Sequence, residues 1–366
     1  MPIKRAKWAP GKVVEIDFDS KVLRKNYLGD PHKRKLHVWL PAEYDTQPKR
    51  RFPVIFDLVG YSGSGMSHTN WKNFGENVPE RAARLIASKR MAPAILVFPD
   101  CFTAYGGNQY INSSAIGRYA DYLVDELVPF IDKKFRTLAK REHRGCFGKS
   151  SGGYGAITHA MKYADTWSAI ACHSGDAYFD FVYRNDLAKT LDHLARYSEP
   201  KRSAGMIDVR ALEKKVRQGI DDGRIKRFLE AFFASRKVSS DEGHVIMMLC
   251  MAASYDPDPK SPNGFRMPVN LETGELIQKR WDAWLIHDPI IAIDHHVKEL
   301  RSMRGIWIDC GWSDQYSIHY GARILSKRLA EHRIEHVYEE FDDNHSDIDY
   351  RLDVSLPFLV DALAGD

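Results

Sequence analysis

The sequence predicts an α/β protein with a mostly parallel central sheet, helices on both faces, and a helical insertion late in the chain. Three observations carry this. Strand-like and helix-like periods alternate between residues 53 and 176. The strands there, 53–59, 94–98 and 167–172, are nearly continuous apolar runs, as in strands covered on both faces. The rhythm stops after Asp176 and resumes only at Gly305.

Residues 12–18 and the second half of 33–40 alternate apolar and polar, which predicts two half-buried antiparallel strands ahead of the parallel part. Pro41 closes the second, and the polar loop 42–52, with Lys49-Arg50-Arg51, leads to strand 53–59. That strand runs into the glycine-rich loop Gly60-Tyr61-Ser62-Gly63-Ser64-Gly65, at a strand's carboxyl end, where open α/β sheets place ligands. Helix 78–89, strand 94–98, a polar and aromatic loop 102–112, and an amphipathic helix 117–136 follow. Residues 180–253 read as mostly helical, including 224–237 and 243–253. The Pro/Asp/Gly-rich stretch 254–277 reads as a long ordered loop, and 278–303 as helix. Strand 305–310, helix 317–332, strand 335–341 and a last helix containing Leu356-Pro357-Phe358 close the chain. This divides the molecule into a core of 1–178 and 301–366 and an insertion, 179–300, expected to form a lid over the site; a plain second domain is the alternative.

The stretch 143–160 organises the chemistry. Gly148-Lys149-Ser150-Ser151-Gly152 fits G-x-S-x-G, a serine on a strained strand-to-helix turn with its hydroxyl exposed. A bare Gly/Ser-rich turn would look the same, so the motif needs partners. A phosphate-binding loop fails on spacing, since His143 stands where its first glycine belongs. Ser151 as nucleophile would leave the frame without its first glycine. A nucleophile elbow demands an acid and then a histidine, each at the end of a later strand. Asp314 follows strand 305–310 and His345 follows strand 335–341. Asp309 is a rival acid, but it lies inside an apolar strand; His319 is a rival base, but it lies in a helical pattern before the last strand.

The residue types match the reaction. A serine hydroxyl needs a base to remove its proton as it attacks. Histidine, with an unperturbed pKa of about 6.5, suits neutral pH, and a carboxylate behind it fixes its tautomer. The oxyanion formed needs fixed donors, for which the backbone N–H groups of Tyr61 and Ser151 are the candidates. Phe102, Gln109, Tyr110, Asp176 and Tyr178 come from strand-end loops and are expected to line the substrate pocket.

With these residues placed, the chain resembles the putative-esterase family of α/β-hydrolases, which includes enterochelin esterases, feruloyl esterases, esterase D-like enzymes and mycolyltransferases. The matching pieces are 53–61, 148–156, Cys310-Gly311-Trp312-Ser313-Asp314, and Asn344-His345 before the Leu356-Pro357-Phe358 helix. The resemblance implies an α/β-hydrolase fold and a serine carboxylic-ester hydrolase. It departs from many relatives at Val59-Gly60, where they carry His-Gly, and the insertion matches none of the named enzymes. An acyltransferase would use the same triad, and a non-catalytic α/β-hydrolase-like binding protein is the alternative from another class.

Composition narrows the setting. A charged fraction of 28% and a net charge of +4 are ordinary for a globular protein, and the scattered Lys and Arg do not form a nucleic-acid stripe. No run approaches the ~18 apolar residues that span a membrane, and Met1–Lys7 has no apolar stretch behind it, so no secretory signal is expected. Five cysteines, far apart and without C-x-x-C spacing, read as reduced structural thiols in a cytoplasmic protein. No metal or other cofactor is expected, His287 and His295-His296 notwithstanding, because ligand spacings such as H-E-x-x-H do not occur. The expected partner is a small-molecule ester, with no nucleic acid and no membrane, and a homo-oligomer is possible.

Overall fold

This computed structural model describes residues 8–199 and 221–364, together with Gly205, Asp208, Arg210 and Ala211. The helical pattern expected within 200–220 falls largely outside the described residues. Eight strands form the main sheet: β1 (Lys12–Asp19), β2 (Lys33–Leu40), β3 (Val54–Leu58), β4 (Ile95–Pro99), β5 (Arg144–Lys149), β6 (Ala169–His173), β7 (Gly305–Gly311) and β8 (Val337–Phe341). Their order is β1-β2-β4-β3-β5-β6-β7-β8. β1 pairs antiparallel with β2, and β2 antiparallel with β4; every later pair is parallel.

The apolar runs explain the layering. Side chains alternate across a strand, so Val54, Phe56 and Leu58 enter the larger core on one face, while Ile55, Leu96 and Phe147 enter the core on the other. The second face is sealed by α1 (Val78–Ala87) and by the C-terminal helix, which brings Leu356, Leu359 and Val360 onto Trp307. β1 is half exposed at one edge, with alternating burial, as its sequence pattern requires.

Two helices differ from the sequence reading, each for a local reason. The helix at 119–134, α2, contains a π turn over Tyr122–Leu127 just before Pro129. Proline has no N–H to donate back into the preceding turn, and a wider turn accommodates the break. The expected helix 278–303 is three pieces. Pro289 opens a new helix with Asp288 as its N-cap, the Asp288 side chain accepting from the Ile290 N–H.

The described residues between β6 and β7 are mainly helical, with α4 (Leu187–Leu194), α5 (Arg224–Ala234), α6 (Ser240–Tyr255) and α7 (Gln278–Leu285) following the elbow helix α3 (Ser151–Lys162) in chain order. α6 is buried along most of its length from Val245 to Tyr255, so it is the central helix of the insertion and not a surface helix. An aromatic cluster fastens the insertion to the elbow helix: the Tyr154 ring lies 6.1 Å from Phe179 and 5.8 Å from Tyr255, and Tyr255 lies 5.5 Å from Trp284.

Candidate active site

Ser150 sits between β5 and α3 at φ 57° and ψ −125°, a conformation that a non-glycine residue adopts only when its surroundings impose it. The surroundings are backbone. A Cβ on Gly148 would stand 2.2 Å from the Leu58 carbonyl oxygen, and one on Gly152 1.7 Å from it. Both glycines are therefore required by the close approach of β3. The turn is pinned on two sides: the Ser150 N–H donates to the His173 carbonyl at 3.0 Å, and the Tyr154 N–H donates to the Ser150 carbonyl at 2.9 Å.

Asp314 and His345 meet at the ends of neighbouring strands β7 and β8. His345 Nδ1 lies 2.7 Å from Asp314 Oδ2, both side chains being buried or nearly so. Asp314 Oδ1 accepts from the Tyr316 N–H at 2.9 Å, which orients the carboxylate. The His345 N–H donates to Gln315 Oε1 at 2.9 Å, and the Tyr316 ring meets the imidazole edge-on at 4.9 Å. With Nδ1–H committed to the carboxylate, Nε2 is left as the basic nitrogen.

The rival residues have other partners. Asp309 takes His173 Nδ1 at 2.6 Å, Trp307 Nε1 at 3.0 Å and Arg351 Nε at 2.9 Å, and His173 Nε2 lies 2.9 Å from Ser355 Oγ. This is a second Ser–His–Asp array, fully buried, and it ties the end of β6, whose His173 carbonyl accepts from the Ser150 N–H, to β7. Several donors outweigh the cost of burial and hold the Asp309 carboxyl below its ordinary range. His319 lies in α8 (Ile318–Glu331), packed on Tyr320, and its imidazole is held low by burial.

Ser150 and His345 share a hollow of about 190 Å3, whose walls include Gly60, Tyr61, Lys149, Ser151, Asp176 and Tyr316. Its roof comes from the insertion: Val182, Tyr183 and Met247. A larger cavity of about 510 Å3, beside Arg224 and Arg280, lies wholly in the insertion and contains none of these residues. Size alone would point there, but Ser150 and His345 line the smaller one. The loop after β3 presses on the elbow, since a Cβ on Gly60 would stand 3.2 Å from the Lys149 carbonyl. Among the described residues the N–H groups of Tyr61 and Ser151 have no internal acceptor. Both residues line the hollow, and Ser151 opens a helix, where backbone N–H groups are left without intrahelical partners.

Ser150 Oγ points toward Asp176, 3.4 Å from Oδ1, and makes no hydrogen bond to His345. Asp176 is 4% exposed. Its Oδ2 accepts from Tyr183 Oη at 2.7 Å and from Ser151 Oγ at 3.4 Å. Burial pushes its pKa up, against the pull of the Tyr183 hydrogen bond and the nearby His345.

Of the five residues expected in the pocket, only Asp176 lines the hollow with Ser150. Phe102 is exposed on the surface and its carbonyl accepts from Arg34. Gln109 is buried beneath the elbow helix, donating to Ser151 Oγ at 2.7 Å. Tyr110 is a core residue whose hydroxyl donates to the Val59 carbonyl at 2.6 Å, supporting the loop from behind. Tyr178 stacks on Phe181 at 4.4 Å, and its N–H goes to Asp288. The expectation assumed that strand-end loops all face the site; instead Phe102 turns to solvent, Gln109 and Tyr110 turn into the interior, and Tyr178 packs on Phe181. Sequence reasoning missed Val182, Tyr183, Met247 and Tyr316. Tyr316 was within reach, two residues past Asp314, whereas Met247 on α6 carries no local signal.

Among the described residues, no group of three or more His, Cys, Asp or Glu is arranged to hold a metal. The five cysteines are buried and unpaired. No helix of the described residues is long and apolar enough to cross a membrane.

Comparison with known proteins gives the family and the fold. Residues 30–353 match the family described as Putative esterase. An esterase of Mycobacterium tuberculosis (strain H37Rv) is 32% identical over 148 residues, 39% of this chain and 29% of that protein, so the chain spans less than a third of that relative's length. A solved ferulic acid esterase superposes with a TM-score of 0.56 at 19% identity, covering 96% of this chain and 98% of the other. The fluorophosphonate-binding serine hydrolase F of Staphylococcus aureus does so with a TM-score of 0.56 at 14% identity, over 98% and 100%. The shared architecture is the α/β-hydrolase fold.

Proposed function

This chain belongs to the putative-esterase family, and from that premise we propose that it is a serine esterase that hydrolyses carboxylic esters through an acyl-enzyme. The observation that carries the reading is the shared hollow: an elbow serine with forced geometry and a carboxylate-oriented histidine face the same small space. Ser150 Oγ attacks the ester carbonyl carbon while His345 Nε2 takes its proton. Asp314 holds Nδ1–H and stabilises the imidazolium. The Tyr61 and Ser151 N–H groups receive the oxyanion. Collapse of the intermediate expels the alcohol, which takes the proton from His345, and water repeats the sequence on the acyl-enzyme. In empty sites the hydrogen bond between such a serine and its base is often long and tightens only with substrate bound.

The insertion, read as a cap over 179–300, contributes Val182, Tyr183 and Met247 to the roof, so it restricts the size of the group next to Ser150. The buried, unpaired thiols suit a reducing, cytoplasmic setting. Replacing Ser150 with Ala is expected to lower kcat/KM for p-nitrophenyl acetate by about 10⁴-fold or more, with unchanged circular dichroism. A variant that kept a tenth of the activity would overturn the assignment.

A further inference from the structure

Asp176 has no part in the proton relay, yet it lies beside the nucleophile. It sits three residues past β6, on the wall of the hollow, with Oδ1 3.4 Å from Ser150 Oγ. A carboxylate offers about four acceptor positions. Among the described residues Asp176 is offered three hydroxyls, and only Tyr183 Oη is close, at 2.7 Å; the hydroxyls of Ser150 and Ser151 are at 3.4 Å. Lys149 is the cationic side chain that shares the hollow, which His345 also lines. A buried carboxylate with so few short bonds is unfavourable unless another donor completes it. Tyr183, whose hydroxyl also lies 3.4 Å from that of Tyr255, occupies Oδ2, while Oδ1 is the oxygen that lies 3.4 Å from Ser150 Oγ.

The position of Oδ1 fixes which donor could reach it. In the acyl-enzyme the acyl carbon is bonded to Oγ, the α-carbon is one bond further, and a substituent on the α-carbon one more. An oxygen 3.4 Å from Oγ is then within the ordinary hydrogen-bond reach of about 3 Å from such a substituent. The small volume near Ser150 and the apolar Val182, Met247 and Ile318 suit a short acyl chain. On the reading of this chain as an esterase, we propose that Asp176 selects esters whose acyl group carries a hydroxyl or ammonium on the carbon next to the carbonyl.

The test compares ethyl isobutyrate, ethyl lactate and ethyl alaninate, which have nearly the same shape at the α-carbon, by acid release under steady-state conditions. For the wild-type protein, kcat/KM for lactate or alaninate, each divided by that ester's own rate of hydroxide hydrolysis, is expected to exceed the same quotient for isobutyrate by about ten-fold or more, the scale of one charge-assisted hydrogen bond, and every ratio is corrected in this way. The lactate and alaninate arms tell the hydroxyl from the ammonium. In Asp176→Leu, which removes the acceptor, the ratio within the variant is expected to fall to about one, and in Asp176→Asn the alaninate preference is lost first. A wild-type ratio within about two-fold of one, or a preference that survives in Asp176→Leu, overturns the proposal; the wild-type ratio decides even if the variants do not fold. Turnover of esters without selectivity sinks only this inference. Absence of turnover together with no labelling of Ser150 by a fluorophosphonate sinks the esterase reading itself.

Discussion

Ser150 is held in a backbone conformation that its own side chain disfavours, and the cause lies in two glycines that touch a neighbouring strand. Gly148 and Gly152 admit the Leu58 carbonyl where any Cβ would collide. The motif G-x-S-x-G was legible in the sequence for that reason: the steric demand acts at the glycines themselves. The acid is set by its neighbours as well. Asp314 and Asp309 are only five residues apart, but Asp309 is inside β7 and Asp314 past its end, so each meets a different histidine. Asp314→Asn keeps the shape of the carboxylate and presents an amide to His345 Nδ1, favouring the unproductive tautomer. It is expected to lower kcat by about 10³–10⁴-fold with little change in KM, measured on the same p-nitrophenyl ester. A loss below about ten-fold would show that another group orients His345.

At the level of elements, periodicity gave the parallel strands and most helices because burial on two faces leaves an unbroken apolar run. It failed where a single residue breaks a regular pattern, at Pro129 and Pro289. It also could not place α6, whose apolar run over 245–253 reads as a helix without saying against what. The start of α6 is secured by a capping box: Ser239 Oγ accepts from the Glu242 N–H at 3.2 Å, and Glu242 Oε2 accepts from the Ser239 N–H at 2.8 Å. Ser239→Ala is expected to destabilise the protein by about 1 kcal/mol in urea unfolding. Met247 is two turns further on, so the loss belongs to stability and leaves kcat within about two-fold. A neutral substitution would mean that α6 is held by packing alone.

Across the whole molecule, the last strand is tied to the sheet's covering helix by charge. Arg323 on α8 grips Glu340 on β8 with paired bonds of 2.7 and 2.8 Å, and Tyr338 Oη donates to the same carboxylate at 2.6 Å. The Arg323 hydrogen bonds are the largest cause that lowers the Glu340 pKa from 4.5 to about 2. A depressed carboxyl stabilises the fold while ionised: the contribution is complete above the unfolded value of 4.5 and is lost as pH falls toward 2. Because the pair is near the surface, water screens it, and its size is about 1 kcal/mol or less. Glu340→Gln is expected to melt below wild type at pH 7 by a few degrees at most, the gap closing as pH approaches 2. A gap that stayed constant with pH would remove the ion pair from the account.

What the amino-acid sequence determined by itself was local in origin: strand and helix periods, the glycine-framed serine, and the order of nucleophile, acid and histidine at strand ends. Each depends on residues a few positions apart, so each leaves a pattern in the chain. The tertiary structure alone decided which side chains face Ser150. It sent Gln109 and Tyr110 under the elbow, brought Tyr183 and Met247 over it from the insertion, and set Asp176 beside Ser150 with one short hydrogen bond. Those placements follow from packing between segments tens to more than a hundred residues apart, and no window of sequence records them.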